Sequence, residues 1–419
     1  MSEKGEKGEK LVIHGNYAAA YGAKLARAQV VAAYPITPQT SIVEKIADFI
    51  AAGEMKAKYI MVESEHSAMA ACIAAENTGV RTFTATSANG LLLMHEMLTW
   101  AAAARLPIVL VNVNRALAPP WSVWAEATDS IAQRDTGWMQ FYCESSQEIL
   151  DTVIMAYKIG EKSNILLPAL INQDAFYLSH TVEPVDIPAQ NLVDEFLPTY
   201  NPEYKIDVNR PMGFGSLSMP HQWYPELRLK VALAMEDAKK AIREVTKEFA
   251  QKFGRDYGGL IESYRADDAE YLIAAYGTIA STAREAVDSL RNRGIKAGLV
   301  KMRVLRPFPV EVLRQLLNKN HAKYLAVLDR AYTFGYEGPF FTEIKGALYG
   351  CRQQPVIKNY AIGIGGRDVT QADIEKTILD GIEMLNSGKN PIESGSEITW
   401  ANMKSSGKTG VWIDIPRRL

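Results

Sequence analysis

Cysteine is scarce in this chain: Cys72, Cys143 and Cys351 are the only three in 419 residues, far apart and odd in number. No disulfide framework and no intrachain iron–sulfur ligand set can be built from them, which points to a reduced, cytoplasmic protein. An excess of charge of one sign is also missing. With 46 basic and 48 acidic residues the formal charge is −2, so nothing electrostatic favours nucleic acid or an anionic membrane. The nearest approach to a long apolar run, 91–113, is broken by His95, Glu96, Arg105 and Pro107. It reads as a helix followed by a buried strand rather than a membrane span. The first ten residues, a Gly-Glu-Lys repeat, lack the apolar stretch of a signal peptide and are expected to form a disordered tail. No two histidines have metal-ligand spacing, so no metal site is expected.

What is present is ordinary globular composition, 47% hydrophobic and 22% charged, in a chain long enough for two or three domains. Apolar strand-like runs at Val30–Ala33, Tyr59–Val62, Thr82–Thr86, Ile108–Val113 and Ile165–Ile171 alternate with helical stretches. The latter lie near 16–27, 39–53, 66–78, 90–104 and 146–162. That alternation implies a parallel sheet covered on both faces. It lapses over 182–225, an irregular excursion, and a long charged helix follows over 226–253. It resumes with strands at Tyr271–Tyr276, Gly298–Lys301, Tyr324–Leu328 and 356–362. The expected chain is therefore α/β with two parallel-sheet domains, 11–260 and 261–388, followed by an arm over 389–419.

Two segments carry the strongest chemical signal. Ala33-Tyr34-Pro35-Ile36-Thr37-Pro38-Gln39-Thr40 reads as a strand end turning into a helix, with Pro38 at the first helical position and Thr37 as the cap. Glu63-Ser64-Glu65-His66-Ser67-Ala68-Met69 repeats that geometry after the next strand. Both deliver polar side chains to the carboxyl edge of a sheet, where open α/β folds bind ligands. Read without further context, Glu63 and Glu65 are acids at a helix N-terminus, which is common. Thr37 is a cap, and Arg115 is a surface or ion-paired arginine.

These motifs resemble the α subunit of the 2-oxoacid:ferredoxin oxidoreductases, the pyruvate synthase family. The resemblance extends through Gly15-Asn16, Thr82–Ser87, Leu93–Glu96, Arg105–Val109, Asn114–Leu117, Arg134–Trp138, Arg306–Pro309, Val327–Arg330 and Gly365–Thr370, in family order over roughly 11–375. It implies a pyrimidine-binding domain of the thiamine diphosphate fold, followed by a domain like the C-terminal domain of transketolase. It also implies that Glu65 is the catalytic carboxylate that hydrogen-bonds the cofactor's aminopyrimidine, favouring the tautomer whose nitrogen removes the C2 proton. Pro35, Ile36 and Thr37 are implied to line the cofactor. Thr37 and Arg115 are implied to hold the substrate carboxylate, for which a guanidinium has the bidentate geometry. His66 and His95 are read as packing residues, His180 matches a family motif without an assignable role, and Arg134 and Asp135 are expected to be structural.

No Gly-Asp-Gly motif followed by Asn is present to hold Mg2+ and a diphosphate. The resemblance places both, with a [4Fe-4S] cluster, on a β subunit. A γ subunit and a ferredoxin-like δ subunit complete the implied assembly, a flavin or NAD subunit is a further option, and coenzyme A is the co-substrate. Five departures from the family pattern stand out: Tyr17; Ala88-Asn89; Ala102 or Ala103; Ala118-Pro119-Pro120-Trp121; and Glu126-Ala127-Thr128-Asp129, which lacks the usual histidine. They are expected to cluster at the pocket, with Trp121 as an apolar wall that suits an aryl 2-oxoacid such as phenylglyoxylate. Pyruvate is the alternative substrate. Readings of other classes are a structural or assembly subunit and a transketolase-like carbon-transfer enzyme.

Overall fold

The computed structural model describes residues 8–351, 354–388 and 398–403. In the first half lie β1 (Glu9–His14), β2 (Val30–Ala33), β3 (Lys58–Met61), β4 (Thr82–Thr86), β5 (Val109–Asn114), β6 (Met139–Tyr142), β7 (Ala169–Asp174) and β8 (Val182–Ile187). The second half contributes β9 (Ile261–Tyr264), β10 (Tyr271–Ala275), β11 (Ala297–Met302), β12 (Val304–Arg306), β13 (Tyr324–Asp329), β14 (Val356–Ala361) and β15 (Ile398–Trp400). A seven-stranded sheet has the order β12-β6-β7-β5-β4-β2-β3, and only β12 runs antiparallel to its neighbour. A six-stranded sheet has the order β15-β14-β13-β10-β11-β9, antiparallel only at β9.

The first sheet places a crevice. From β2 the chain moves outward to β3 through the helix Thr40–Ala51, then returns past β2 to β4 through the helix Glu65–Glu76. Right-handed crossovers in opposite directions put these helices on opposite faces. Ile42, Val43, Ile46 and Phe49 pack with Ile149, Leu150 and Val153 in one core, whereas Ala68, Met69 and Cys72 pack with Leu91, Met94 and Leu98 in another. The order reverses between β2 and β4, and a ligand crevice opens at the carboxyl ends of strands at such a switch point. The amino-proximal parts of β4, β5 and β7 are mostly apolar, as a doubly covered strand requires. Their carboxyl halves bury Thr84, Thr86, Asn112, Asn114, Asn172, Gln173 and Asp174 instead.

Several boundaries differ from the sequence reading. The irregular excursion contains β8 and a helix, Gln190–Phe196; Val185 and Ile187 point inward while β8 pairs antiparallel with β1. The tail accordingly gives way to strand at Glu9, and residues 1–7 lie outside the described set. The strand expected at Ile165–Ile171 begins at Ala169, and Ile165 and Leu167 are buried ahead of it. β6 and β9 are absent from the sequence reading: Met139–Tyr142 and Ile261–Tyr264 each carry polar residues, Gln140 or Glu262 and Ser263, among the apolar ones. Most of the arm over 389–419 is outside the described residues; within it, β15 pairs in parallel with β14. None of the described helices is long and apolar enough to cross a membrane.

Buried charge joins the two halves. Glu148, on the helix Ser146–Gly160, accepts from Lys301 Nζ at 2.8 Å and Arg303 Nε at 2.9 Å, and all three are almost fully buried. Burial pushes the Glu148 carboxyl up, but the Lys301 and Arg303 cations together hold it below the ordinary glutamate value. A depressed carboxyl stabilises the native state above its unfolded pKa and loses that contribution as pH falls through the folded value. Glu148→Gln should therefore destabilise the chain at neutral pH by about 3 kcal/mol, because Arg303 loses its carboxylate and Lys301 keeps only the less buried Glu144 at 2.9 Å and Glu262 at 3.5 Å. It should also flatten the loss of stability in acid, below the ordinary glutamate range. Urea denaturation at neutral and acid pH measures both, and an unchanged midpoint would show that the cluster contributes nothing net.

Candidate functional site

The turn after β2 does not form the expected helix cap. The Thr37–Pro38 peptide is cis, the helix starts at Thr40, and its N-cap is Gln39. The turn closes on Gln39 instead, whose N–H donates to the Ile36 carbonyl at 2.8 Å and whose Oε1 accepts from the Ile36 N–H at 3.3 Å. Asn16 Nδ2 donates to the Pro38 carbonyl at 2.7 Å and to Ser41 Oγ at 2.8 Å, while Gln173 Nε2 donates to Asn16 Oδ1 at 2.9 Å. A β-carbon at Gly15 would fall 2.3 Å from Gln173 Oε1, so the preceding glycine makes this approach feasible. Pro35 and Thr37 remain exposed at the crevice and Ile36 is half-buried.

The two candidate acids separate cleanly. Ser64 caps the helix Glu65–Glu76, accepting from the Ser67 N–H at 3.2 Å. Glu63 is exposed and bound by the Ser67 hydroxyl at 2.7 Å, which holds its carboxyl below the ordinary value. Glu65 is buried, 6% exposed, and its carboxyl accepts no hydrogen bond among the described residues. Its carboxyl lies over Gly90: a β-carbon there would be 2.5 Å from Glu65 Oε1 and 2.6 Å from Thr86 Oγ1. Thr86 Oγ1 is itself buried without a partner among the described residues. The Glu65 carboxyl is thus left free to accept a hydrogen bond from a group in the crevice.

Arg115 follows β5 directly and is buried. Its Nη1 donates to the Thr37 carbonyl at 2.6 Å and its Nε to the Ser122 carbonyl at 3.2 Å. The structure thus brings Thr37 and Arg115 together, through the Thr37 backbone rather than its hydroxyl, and leaves guanidinium N–H groups over for an anion. Behind Arg115 sits Asp129. Its carboxylate accepts from the Ala88 N–H at 3.0 Å, the Arg115 N–H at 3.2 Å, Asn114 Nδ2 at 2.9 Å, Asn112 Nδ2 at 3.2 Å and the Ser130 N–H at 2.7 Å. Burial pushes this carboxyl up to about 7, and the N–H donors oppose the rise.

Other expectations fare differently. Trp121 is 81% exposed, so within this chain it walls no pocket; the segment around it holds Pro119 and Pro120, which lack backbone donors to tie it down. Ala102 packs beside Gly137 at the end of the helix His95–Ala103, which leads into the start of β5. It is therefore at the opposite edge of the sheet, and the five departures do not all meet at the crevice. Asn89 and Ala118, from two of them, do meet: Asn89 Oδ1 accepts from the Ala118 N–H at 3.3 Å. Glu126 Oε2 accepts from the Gly365 N–H at 3.1 Å, and Tyr17 packs on His14.

His66 pairs with Glu96 at 3.5 Å, His95 Nδ1 meets Gln133 Oε1 at 2.6 Å, and Arg134 meets Asp135 at 3.7 Å. His180 stacks on Phe176 and on His14. Missed were Asn16, Ser64, Gly90, Gln173 and Asp129, although all but Gln173 stand inside or beside the motifs that carried the reading. No group of three or more His, Cys, Asp or Glu suited to a metal occurs among the described residues. A cavity of about 950 Å³ lies at the amino edge of the sheet, lined by Glu76, Arg105, Glu161 and Tyr200, and contains neither Glu65 nor Arg115.

Across the crevice, Asp174 at the end of β7 accepts from the Thr278 N–H at 2.8 Å and pairs with Arg330 Nη1 at 2.8 Å. Tyr177 donates to the Gly366 carbonyl at 3.0 Å. The carboxyl ends of both sheets thus face one another.

Comparison with known proteins agrees with this architecture. Residues 21–247 match the family described as pyruvate flavodoxin/ferredoxin oxidoreductase, thiamine diP-binding, and residues 269–374 match pyruvate:ferredoxin oxidoreductase core domain II. The chain is 55% identical to ketoisovalerate oxidoreductase subunit VorA of Pyrococcus horikoshii over 396 residues, covering 94% of this chain and 98% of that one. It is 47% identical to pyruvate synthase subunit PorA of Methanothermobacter thermautotrophicus over 397 residues, covering 95% and 99%. Among solved structures, 2-oxoglutarate:ferredoxin oxidoreductase from Magnetococcus marinus superposes with a TM-score of 0.67 at 18% identity, over 89% of this chain and 65% of that chain. A split-gene transketolase superposes with a TM-score of 0.52 at 12% identity, over 88% and 98%. A thiamine-type crevice, a transketolase-like second sheet and end-to-end identity with such subunits make this chain an α subunit of the 2-oxoacid:ferredoxin oxidoreductase family.

Proposed function

We propose that this α subunit acts in a coenzyme A-dependent oxidoreductase whose preferred substrate is a branched aliphatic 2-oxoacid, 2-oxoisovalerate. One observation carries the choice of acid: identity is 54–55% to three ketoisovalerate oxidoreductase subunits against 46–49% to the pyruvate synthase subunits, over nearly the whole chain. Pyruvate remains the second reading, favoured by that same 46–49%. The aryl acid loses ground because these relatives are named for aliphatic acids. A buried Glu65 without a partner speaks against a purely structural subunit.

The crevice residues fit thiamine diphosphate at its pyrimidine end. Glu65 would hydrogen-bond the ring nitrogen, and the absent side chain of Gly90 leaves its carboxyl room beside Thr86. When bound, the cofactor supplies the carbon nucleophile and takes up the electron pair that decarboxylation leaves. Arg115 would hold the substrate carboxylate in a bidentate grip, with Thr37 beside it. The turn Pro35–Thr37 would line the cofactor, locked in place by Asn16, Gln39 and Arg115. The diphosphate, Mg2+ and the [4Fe-4S] clusters are assigned to partner subunits of β, γ and δ type, since no motif in this chain serves them. An open crevice suits such a shared site.

The test of substrate is turnover of the purified complex with 2-oxoisovalerate, pyruvate and phenylglyoxylate. A kcat/KM highest for 2-oxoisovalerate is expected. One extra methylene-sized contact is worth about 1–3 kcal/mol, so the margin over pyruvate should reach 10-fold or more. A preference for pyruvate would return the chain to the pyruvate synthase reading. Within the same complex, Glu65→Gln should slow turnover by about 10²–10⁴-fold, while Glu63→Gln, changing an exposed acid, should be mild. Gly90→Ala should mimic part of the Glu65 defect, about 10²-fold, by pushing the carboxyl off its position. Equal activity of Glu65→Gln and wild type would reduce Glu65 to a helix-terminus acid.

A further inference from the structure

The segment after Arg115 is tethered at one point. Residues 117–121 make a single hydrogen bond among the described residues, from the Ala118 N–H to Asn89 Oδ1. Pro119 and Pro120 have no N–H to offer, and on either side the chain is fixed firmly. Upstream, the Arg115 N–H is held by Asp129 and the Ala116 N–H by the Trp124 carbonyl at 2.9 Å. Downstream, the Ser122 carbonyl is held by Arg115 Nε. Asn89 is well placed to set the span between. It stands one residue after Ala88, whose N–H is held by the same Asp129 carboxylate, and one before Gly90, which carries the Glu65 carboxyl. The turn beside Glu65 and the loop beside Arg115 are thus joined twice: at a buried point by Asp129, and at the exposed rim by Asn89.

We propose that Asn89 is a specificity-determining residue of this subunit, a positioning residue whose hydrogen bond to Ala118 fixes how closely the 117–121 loop approaches the crevice. The inference rests on the 2-oxoacid activity proposed above but not on which acid is preferred. Arg115 grips the carboxylate common to all 2-oxoacids, so it cannot discriminate among them. The loop that follows it can, because its position limits the space left for the substrate's side chain. Loss of the tether would release the loop without disturbing Arg115, whose own backbone bond goes to Asp129.

The experiment measures kcat/KM of the assembled complex for pyruvate, 2-oxobutanoate and 2-oxoisovalerate in wild type, Asn89→Ala and Asn89→Asp. Asn89 is exposed, so neither change threatens folding. In Asn89→Ala the ratio between the branched and the smallest acid should shift by roughly 3–10-fold, the loss of one modest hydrogen bond. The shift should fall mainly on KM and not on kcat. Asn89→Asp keeps an acceptor for the Ala118 N–H and should restore a ratio close to wild type. An unchanged ratio in Asn89→Ala, with normal wild-type turnover, overturns the inference alone, as does an Asp variant that behaves like Ala. A wild-type complex without turnover of any 2-oxoacid overturns the functional reading, and this inference with it.

Discussion

One buried carboxylate organises the crevice. Among the described residues no cation forms an ion pair with Asp129; it is satisfied by N–H groups drawn from the turn after β4, the end of β5 and its own short helix. Each such bond is charge-assisted and lies out of water, where its electrostatic strength is greatest. The arrangement costs desolvation, visible in the upward push on the acid, and it yields geometry. Ala88 and Arg115 cannot separate without stripping hydrogen-bond donors from a buried carboxyl. Since Gly90 sits two residues beyond Ala88, Glu65 and Arg115 are held in one frame by a group that touches neither carboxyl nor guanidinium of the pair.

The second sheet completes that frame from the other side. Asp174, the last residue of β7, sits at the N-terminus of the helix Thr278–Asn292 and also meets Arg330. A helix N-terminus favours a negative charge through its free N–H groups and dipole. Gly277 approaches so closely that a β-carbon there would lie 2.7 Å from Asp174 Oδ2. The domain that carries no candidate catalytic residue therefore fixes the carboxyl edge of the one that does. The buried polar layer formed by Thr84, Thr86, Asn112, Asn114 and Asn172 lies just beneath, and several of its oxygens lack partners among the described residues.

Much of this was legible in the sequence because long parallel strands and amphipathic helices leave clear periods. Val30–Ala33 and Thr82–Thr86 were placed to the residue. The acids could be ranked only through family resemblance, and burial then separated Glu65 from Glu63 on physical grounds. What escaped was long-range polar pairing. Gln173 meets Asn16 across 157 residues, a relation with no local signature. The turn at Thr37 was misjudged for a related reason: a Thr-Pro pair signals a helix start, but here side chains from three other elements or positions, Asn16, Gln39 and Arg115, decide the backbone path. Aromatic residues usually bury their area, yet Trp121 is 81% exposed within this chain, next to Pro119 and Pro120.

The Lys301–Glu148–Arg303 cluster gives the join between the sheets an unusual response to heat. Removing charges from water is less costly as temperature rises, because their hydration carries a strongly negative entropy, whereas apolar stabilisation per unit area levels off. A seam made of buried ions therefore weakens less on warming than the apolar cores on either side of it. The crevice between the two carboxyl edges should accordingly keep its width over a broad temperature range, with the sheets themselves setting the upper limit of heat tolerance.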